Sequence, residues 1–61
     1  MSNMKDFRLF IAEEMQAKNK LLDLDKALVK AEELWHDATV GKNKKAQMMI
    51  GRYAKKYREG R

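Results

Sequence analysis

The chain has no cysteine and no proline, and only three glycines among its 61 residues. Without cysteine there is neither a disulfide staple nor a thiolate metal site, so folding rests on one small apolar core or on a partner subunit. Without proline, nothing forces a helix to stop except short polar interruptions. Aromatic residues make up only 8% of the chain, so Phe7, Phe10, Trp35, Tyr53 and Tyr57 must each supply a large share of any core. Also missing is an apolar run near the ~20 residues that a membrane span requires, and the first residues carry no apolar signal-peptide core. An intracellular chain is the expectation, in the cytoplasm, a nucleoid or a nucleus. A chain this short buries only about 60% of the surface its unfolded form exposes, so its stability is modest.

What is present is 44% apolar residues at helical spacing, alongside 38% charged residues. That spacing argues against disorder and predicts an all-α, three-helix single domain over residues 1–61, with helices at about 3–18, 24–39 and 43–59. Ser2 or Asn3 can cap the first helix, and Met4, Phe7, Phe10, Ile11 and Met15 form its apolar stripe. Lys18-Asn19-Lys20 ends the pattern, after which Leu21 and Leu22 are expected to fold back over the core. Asp23 or Asp25 starts the second helix, which places Leu24, Ala27, Leu28, Ala31, Leu34, Trp35 and Ala38 on one face. Gly41 is the expected left-handed residue ending it. Asn43 can cap the third helix, whose face Ala46, Met49, Ile50, Tyr53, Ala54 and Tyr57 is the most regular in the chain.

Charge is divided along the sequence. Residues 1–40 carry six Lys/Arg and eight Asp/Glu, whereas residues 41–61 carry eight Lys/Arg and the single acidic residue Glu59. At 100° per residue, Lys45, Arg52 and Lys56 form one row on the third helix, Lys44 and Lys55 form a second, and Met48 lies between them. With the apolar side packed inward, these five cations form a ladder about 16 Å long, comparable to several phosphate spacings along one strand. Lys42, Arg58 and Arg61 extend it. A face that served solubility alone would tolerate interspersed carboxylates, as the first two helices do at Glu13, Glu14, Glu32, Glu33 and Asp37. A membrane surface is a poorer partner, because Tyr53 and Tyr57 are needed in the core.

The segments Asp6-Phe7-Arg8-Leu9-Phe10-Ile11-Ala12-Glu13 and Lys30-Ala31-Glu32-Glu33-Leu34-Trp35, with the later Ile50 and Tyr57, resemble the HMG-box family. The match covers most of residues 6–59. That family's pattern has Phe-x-Leu-Phe-x-x-Glu in helix 1, a Gly-Glu-Leu-Trp-like end to helix 2 and a Tyr near the end of helix 3. The resemblance implies an L-shaped three-helix domain that enters the DNA minor groove and bends the duplex with an apolar wedge. It assigns Phe7, Phe10, Trp35 and Tyr57 to the core and puts the first wedge position at Arg8. Arginine enters a narrow minor groove but is a poor wedge, so strong bending is not expected. The family's proline-containing basic arm is missing before helix 1, and the helix 1–2 connection is shorter and proline-free. A compact three-helix bundle is the other packing that the pattern allows.

Nothing in the sequence assembles a catalytic set. There is no Ser-His-Asp arrangement, no phosphate-cradling glycine loop and no metal-ligand spacing, and His36 is the only histidine. The adjacent pairs Glu13/Glu14 and Glu32/Glu33 point about 100° apart and read as solvated. A non-enzymatic protein without cofactor or metal is expected. Its first reading is a small DNA-binding protein of low sequence specificity that favours double-stranded DNA. Arg8, Lys42, Lys44, Lys45, Met48, Arg52, Lys55 and Lys56 would be its contacts. The alternative is a helical interaction module that docks on an acidic surface of a larger host protein, a kind of regulator suited to a compact viral genome. Leu9, Val29 and Met48, apolar residues off their helices' core faces, would then supply anchors or a homodimer seam.

Overall fold

Three α-helices form where the spacing predicts them: α1 spans Asn3–Lys18, α2 spans Leu24–Thr39 and α3 spans Lys44–Glu59. The computed structural model describes residues 3–60, without the side chains of Asn3 and Met4. Ser2 and Arg61 therefore lie outside the described residues, as do the side chains on which an Asn3 cap and the Met4 position in the α1 stripe would rest. The cap of α2 is Asp23 rather than Asp25, and its side chain accepts the Lys26 N–H at 2.8 Å. Asn43 caps α3 by accepting the Ala46 N–H at 3.1 Å. Each cap satisfies one of the amide donors that a helix start leaves unpaired.

The chain takes the compact packing rather than an L. Its Cα radius of gyration is 11.1 Å and its extents are 28 × 24 × 22 Å, close to the roughly 10.5 Å expected for a compact chain of this length. Ile11, Ala31 and Tyr53, one from each helix, form the buried centre, and Phe7, Phe10, Met15, Leu34, Met49 and Ile50 pack against it. Ala12, Ala27 and Ala31 are fully enclosed, and Ile11 is the largest side chain that is. Ala12 falls outside the stripe read from the sequence. Edge-on aromatic contacts extend this small core: Phe7 meets Trp35 at 6.2 Å and Tyr57 at 5.5 Å, while Phe10 meets Tyr57 at 5.2 Å. Each such pair contributes about 0.5–1.5 kcal/mol beyond the area it buries.

Three expectations are corrected at the connections. Leu21 does not cover the core but is 96% exposed. Asn19 holds the turn, with its Oδ1 accepting the Leu21 N–H at 3.1 Å and its carbonyl accepting the Leu22 N–H at 3.1 Å. That turn points Leu22 partly inward and sends its neighbour out. Leu24, in the opening turn of α2, is likewise exposed rather than on the buried face. The left-handed residue after α2 is Lys42, at φ 52°, and no glycine has positive φ. Gly41 is required for a different reason: a Cβ there would lie 3.0 Å from the Asp37 carbonyl oxygen. The chain must pass this close because the Gly41 N–H reaches the His36 carbonyl and the Asn43 N–H reaches that of Asp37.

Gly41→Ala therefore destabilises the fold by about 1 kcal/mol, through the clash with Asp37. Lys42→Gly relieves a left-handed side-chain conformation and stabilises it by about 0.5–1 kcal/mol after the entropy of the added glycine is counted. Thermal melts followed by circular dichroism should move in opposite directions for the two variants, with Lys42→Gly raising Tm by about 2–6 °C.

Candidate nucleic-acid interface

Helix α3 has two unlike sides. Ala46 and Tyr53 are buried, and Met49, Ile50, Ala54 and Tyr57 are partly buried, so the inward face is the one its spacing predicts. Lys44, Lys45, Met48, Arg52, Lys55 and Lys56 are all exposed. Met48, 65% exposed, stands between the two cationic rows and offers the helix's outward apolar contact. Lys42 is exposed in the turn leading into α3, and Arg58 is exposed near the C-terminal end.

Among the described residues, Lys44, Lys45, Arg52 and Lys55 make no ion pair, whereas Lys56 Nζ pairs with Glu14 Oε1 of α1. Helical angle sets Lys44 and Lys55 apart from Lys56, and position along the axis sets apart Lys45 and Arg52, about 16 and 6 Å nearer the start of the helix. Lys56 lies about 120° around α3 from Lys44, at the edge of the cationic sector beside Met49, where the neighbouring helix can reach it. Glu14 continues the i, i+3, i+4 pattern of Phe7, Phe10 and Ile11, and that spacing is the signal that could have placed it at the α1–α3 seam. Its partial burial corrects the reading of Glu14 as solvated. Glu32 is exposed, as read from the sequence, and its Oε1 pairs with Arg8 Nη1 across α1 and α2.

Arg8 is the candidate contact that the structure does not bring to the ladder. It lines a groove of about 850 Å³ between α1 and α2, together with Phe7, Ile11, Trp35, His36 and Val40, and no α3 residue borders that groove. Its Nε is shielded from solvent and meets no acceptor among the described residues. Sequence reasoning missed the groove, since Trp35 and Phe7 were assigned to the core and each is only partly buried. The exposed Val40 at the end of α2 was its one outward sign. Leu9, Val29 and Met48 are exposed as expected, on three different helices. Val29 sits in a shallow depression bounded only by the charged residues Asp25, Lys26, Lys30 and Glu33, so neither of the other two joins it there. Among the described residues no cluster of His, Asp and Glu could hold a metal ion, and no helix is long and apolar enough to cross a membrane.

Behind the ladder, Tyr53 anchors α3. Burial raises its phenol pKa above 10.0, the negative charge of Glu14 raises it further, and Lys56 opposes both. Lys18 lies over the ring, with its Nζ 5.9 Å from the centroid. Compared with family models, curated proteins and solved structures, the chain matches none.

The folded phenol keeps its proton beyond the pH at which unfolded tyrosine ionises. The contribution of Tyr53 to stability is therefore present below pH 10.0 and is lost as pH rises past it, because the unfolded chain releases that proton first. Melts on either side of pH 10.0 should show this loss, and Tyr53→Phe should remove it.

Proposed function

We propose that this chain is a small, non-enzymatic DNA-binding protein of low sequence specificity that grips the phosphate backbone of duplex DNA through α3. One observation carries the reading: Lys44, Lys45, Arg52 and Lys55 share one exposed face and meet no carboxylate among the described residues, while the opposite face of the same helix is committed to the core. Four such cations on one helix form a local field that attracts a regular polyanion. Lysine and arginine at such sites bind phosphate without reading bases, which is why low specificity is the natural outcome. Met48, between the rows, would rest against sugar or a groove wall. The HMG-box resemblance adds only the expectation of DNA as partner, because the packing is compact rather than an L and its wedge position is an arginine paired to Glu32 on the α1–α2 side, away from the ladder.

A second reading draws on the groove between α1 and α2. Its partly buried Phe7 and Trp35 and the exposed Val40 suit an apolar anchor from another protein, and the cations of α3 would then steer an acidic partner toward it. Val40→Asp separates the two readings: it should abolish capture of such a partner and leave DNA affinity within about two-fold, since Val40 lies off the ladder.

The direct test is fluorescence anisotropy with a short labelled duplex of mixed sequence across a salt series. About four phosphate contacts predict a log–log slope near −3.6, and Lys45→Gln or Arg52→Gln should each make it shallower by about 0.9. Equal loss on unrelated duplexes is expected for both variants. No binding to any duplex at about 50 mM salt would refute the reading.

A further inference from the structure

By helical position Lys56 belongs to the row of Lys45 and Arg52, yet it is the one α3 cation that meets a carboxylate among the described residues. The two partners are unequal. The Lys56 side chain is 64% exposed, whereas that of Glu14 is only 22% exposed, held at the α1–α3 seam beside Tyr53. Glu14 is thus the member held in the seam, and the long, more exposed lysine side chain is the one that reaches across to it. The effect of Glu14 on Tyr53 shows that its charge is felt on α3. Its neighbour Glu13 carries the same charge, is exposed and makes no ion pair among the described residues.

Resting on the polyanion reading above, we infer that Glu14 is a tethered counter-ion that withholds Lys56 from the phosphate backbone and so sets the size and strength of the α3 footprint. A phosphate that approached Lys56 would have to displace a carboxylate already in place and would then lie close to it. The bound duplex is therefore gripped by the ladder cations that meet no carboxylate among the described residues, and Lys56 is held in reserve against α1. Grip is traded for ready release, in keeping with a protein that binds many sequences alike. Because Glu14 lies on α1 and the cations on α3, the restraint exists only in the folded chain.

The test compares wild type, Glu14→Gln, Glu13→Gln, Lys56→Gln and the double variant Glu14→Gln/Lys56→Gln, using the same labelled duplex and salt series. Circular dichroism melts establish that each protein is folded. Glu14→Gln should steepen the log–log slope by about 0.9, one additional phosphate. It should also tighten binding about two- to five-fold at low salt, the range of a surface ion pair. Glu13→Gln, which removes the same net charge, should leave the slope unchanged. Lys56→Gln alone should also leave the wild-type slope unchanged, and in the double variant it should cancel the gain from Glu14→Gln. A wild-type slope retained in Glu14→Gln overturns the inference and leaves the polyanion reading standing. So does a shallower slope for Lys56→Gln alone, which would mean that Lys56 already touches phosphate. If none of the five proteins binds the duplex, the polyanion reading falls and this inference falls with it.

Discussion

The rotation of α3 about its own axis is the constraint on which the surface chemistry of this protein depends. Tyr57 lies edge-on to both Phe7 and Phe10 of α1, and Tyr53 enters the buried centre with Ile11 and Ala31. A helix side chain has only one angular position that satisfies both contacts. With Tyr53 and Tyr57 inward, geometry leaves Lys44, Lys45, Arg52 and Lys55 on the far side. A turn of one residue, about 100°, would press ammonium groups into an apolar seam at a cost of several kcal/mol, so the aromatic contacts and the outward charge are one arrangement seen from two sides.

The core that enforces this is thin. One isoleucine is the largest side chain fully enclosed, three of the most buried residues are alanines, and the aromatic rings are mostly only partly covered. A small chain cannot do much better, because its surface is large relative to its volume. Cross-helix ion pairs at Arg8–Glu32 and Lys56–Glu14 sit at the edges of this core, one between α1 and α2 and one between α1 and α3. Partly exposed pairs of this kind add little stability, but they do bias how neighbouring helices meet.

Much of this fold could be read from local sequence, for identifiable reasons. The caps at Asp23 and Asn43 and the inward face of α3 depend on residues within a few positions of one another, so periodicity and capping chemistry find them. What escaped depends on distant partners or on fine backbone geometry. The pairing of Glu14 with Lys56 joins residues far apart in sequence, and only the docking of α3 on α1 reveals it. Glycine is the usual left-handed residue, yet close approach to Asp37 used the glycine at position 41 and moved positive φ to Lys42. Leu21 looked like core because it is apolar, but the hydrogen bonds of Asn19 fix the turn and decide its direction. The choice between an L and a bundle was likewise closed to helical spacing, which gives faces but no crossing angles. For the ladder, spacing gave which cations point outward and could not tell which of them a carboxylate would occupy.

The enclosed alanines have a mechanical corollary. Ala31 contributes a single methyl group, yet it belongs both to the buried centre and to the wall of the groove between α1 and α2. The calibre of that cleft is therefore gauged by the smallest chiral side chain available, and any bulkier residue there would splay the two helices and reshape the mouth. The cationic side of α3 borders none of this wall. Ala31 nevertheless shares the buried centre with Tyr53, so drift at that one position would be felt in the seating of α3 as well as in the cleft, and a molecule this small couples its two faces through a single methyl group.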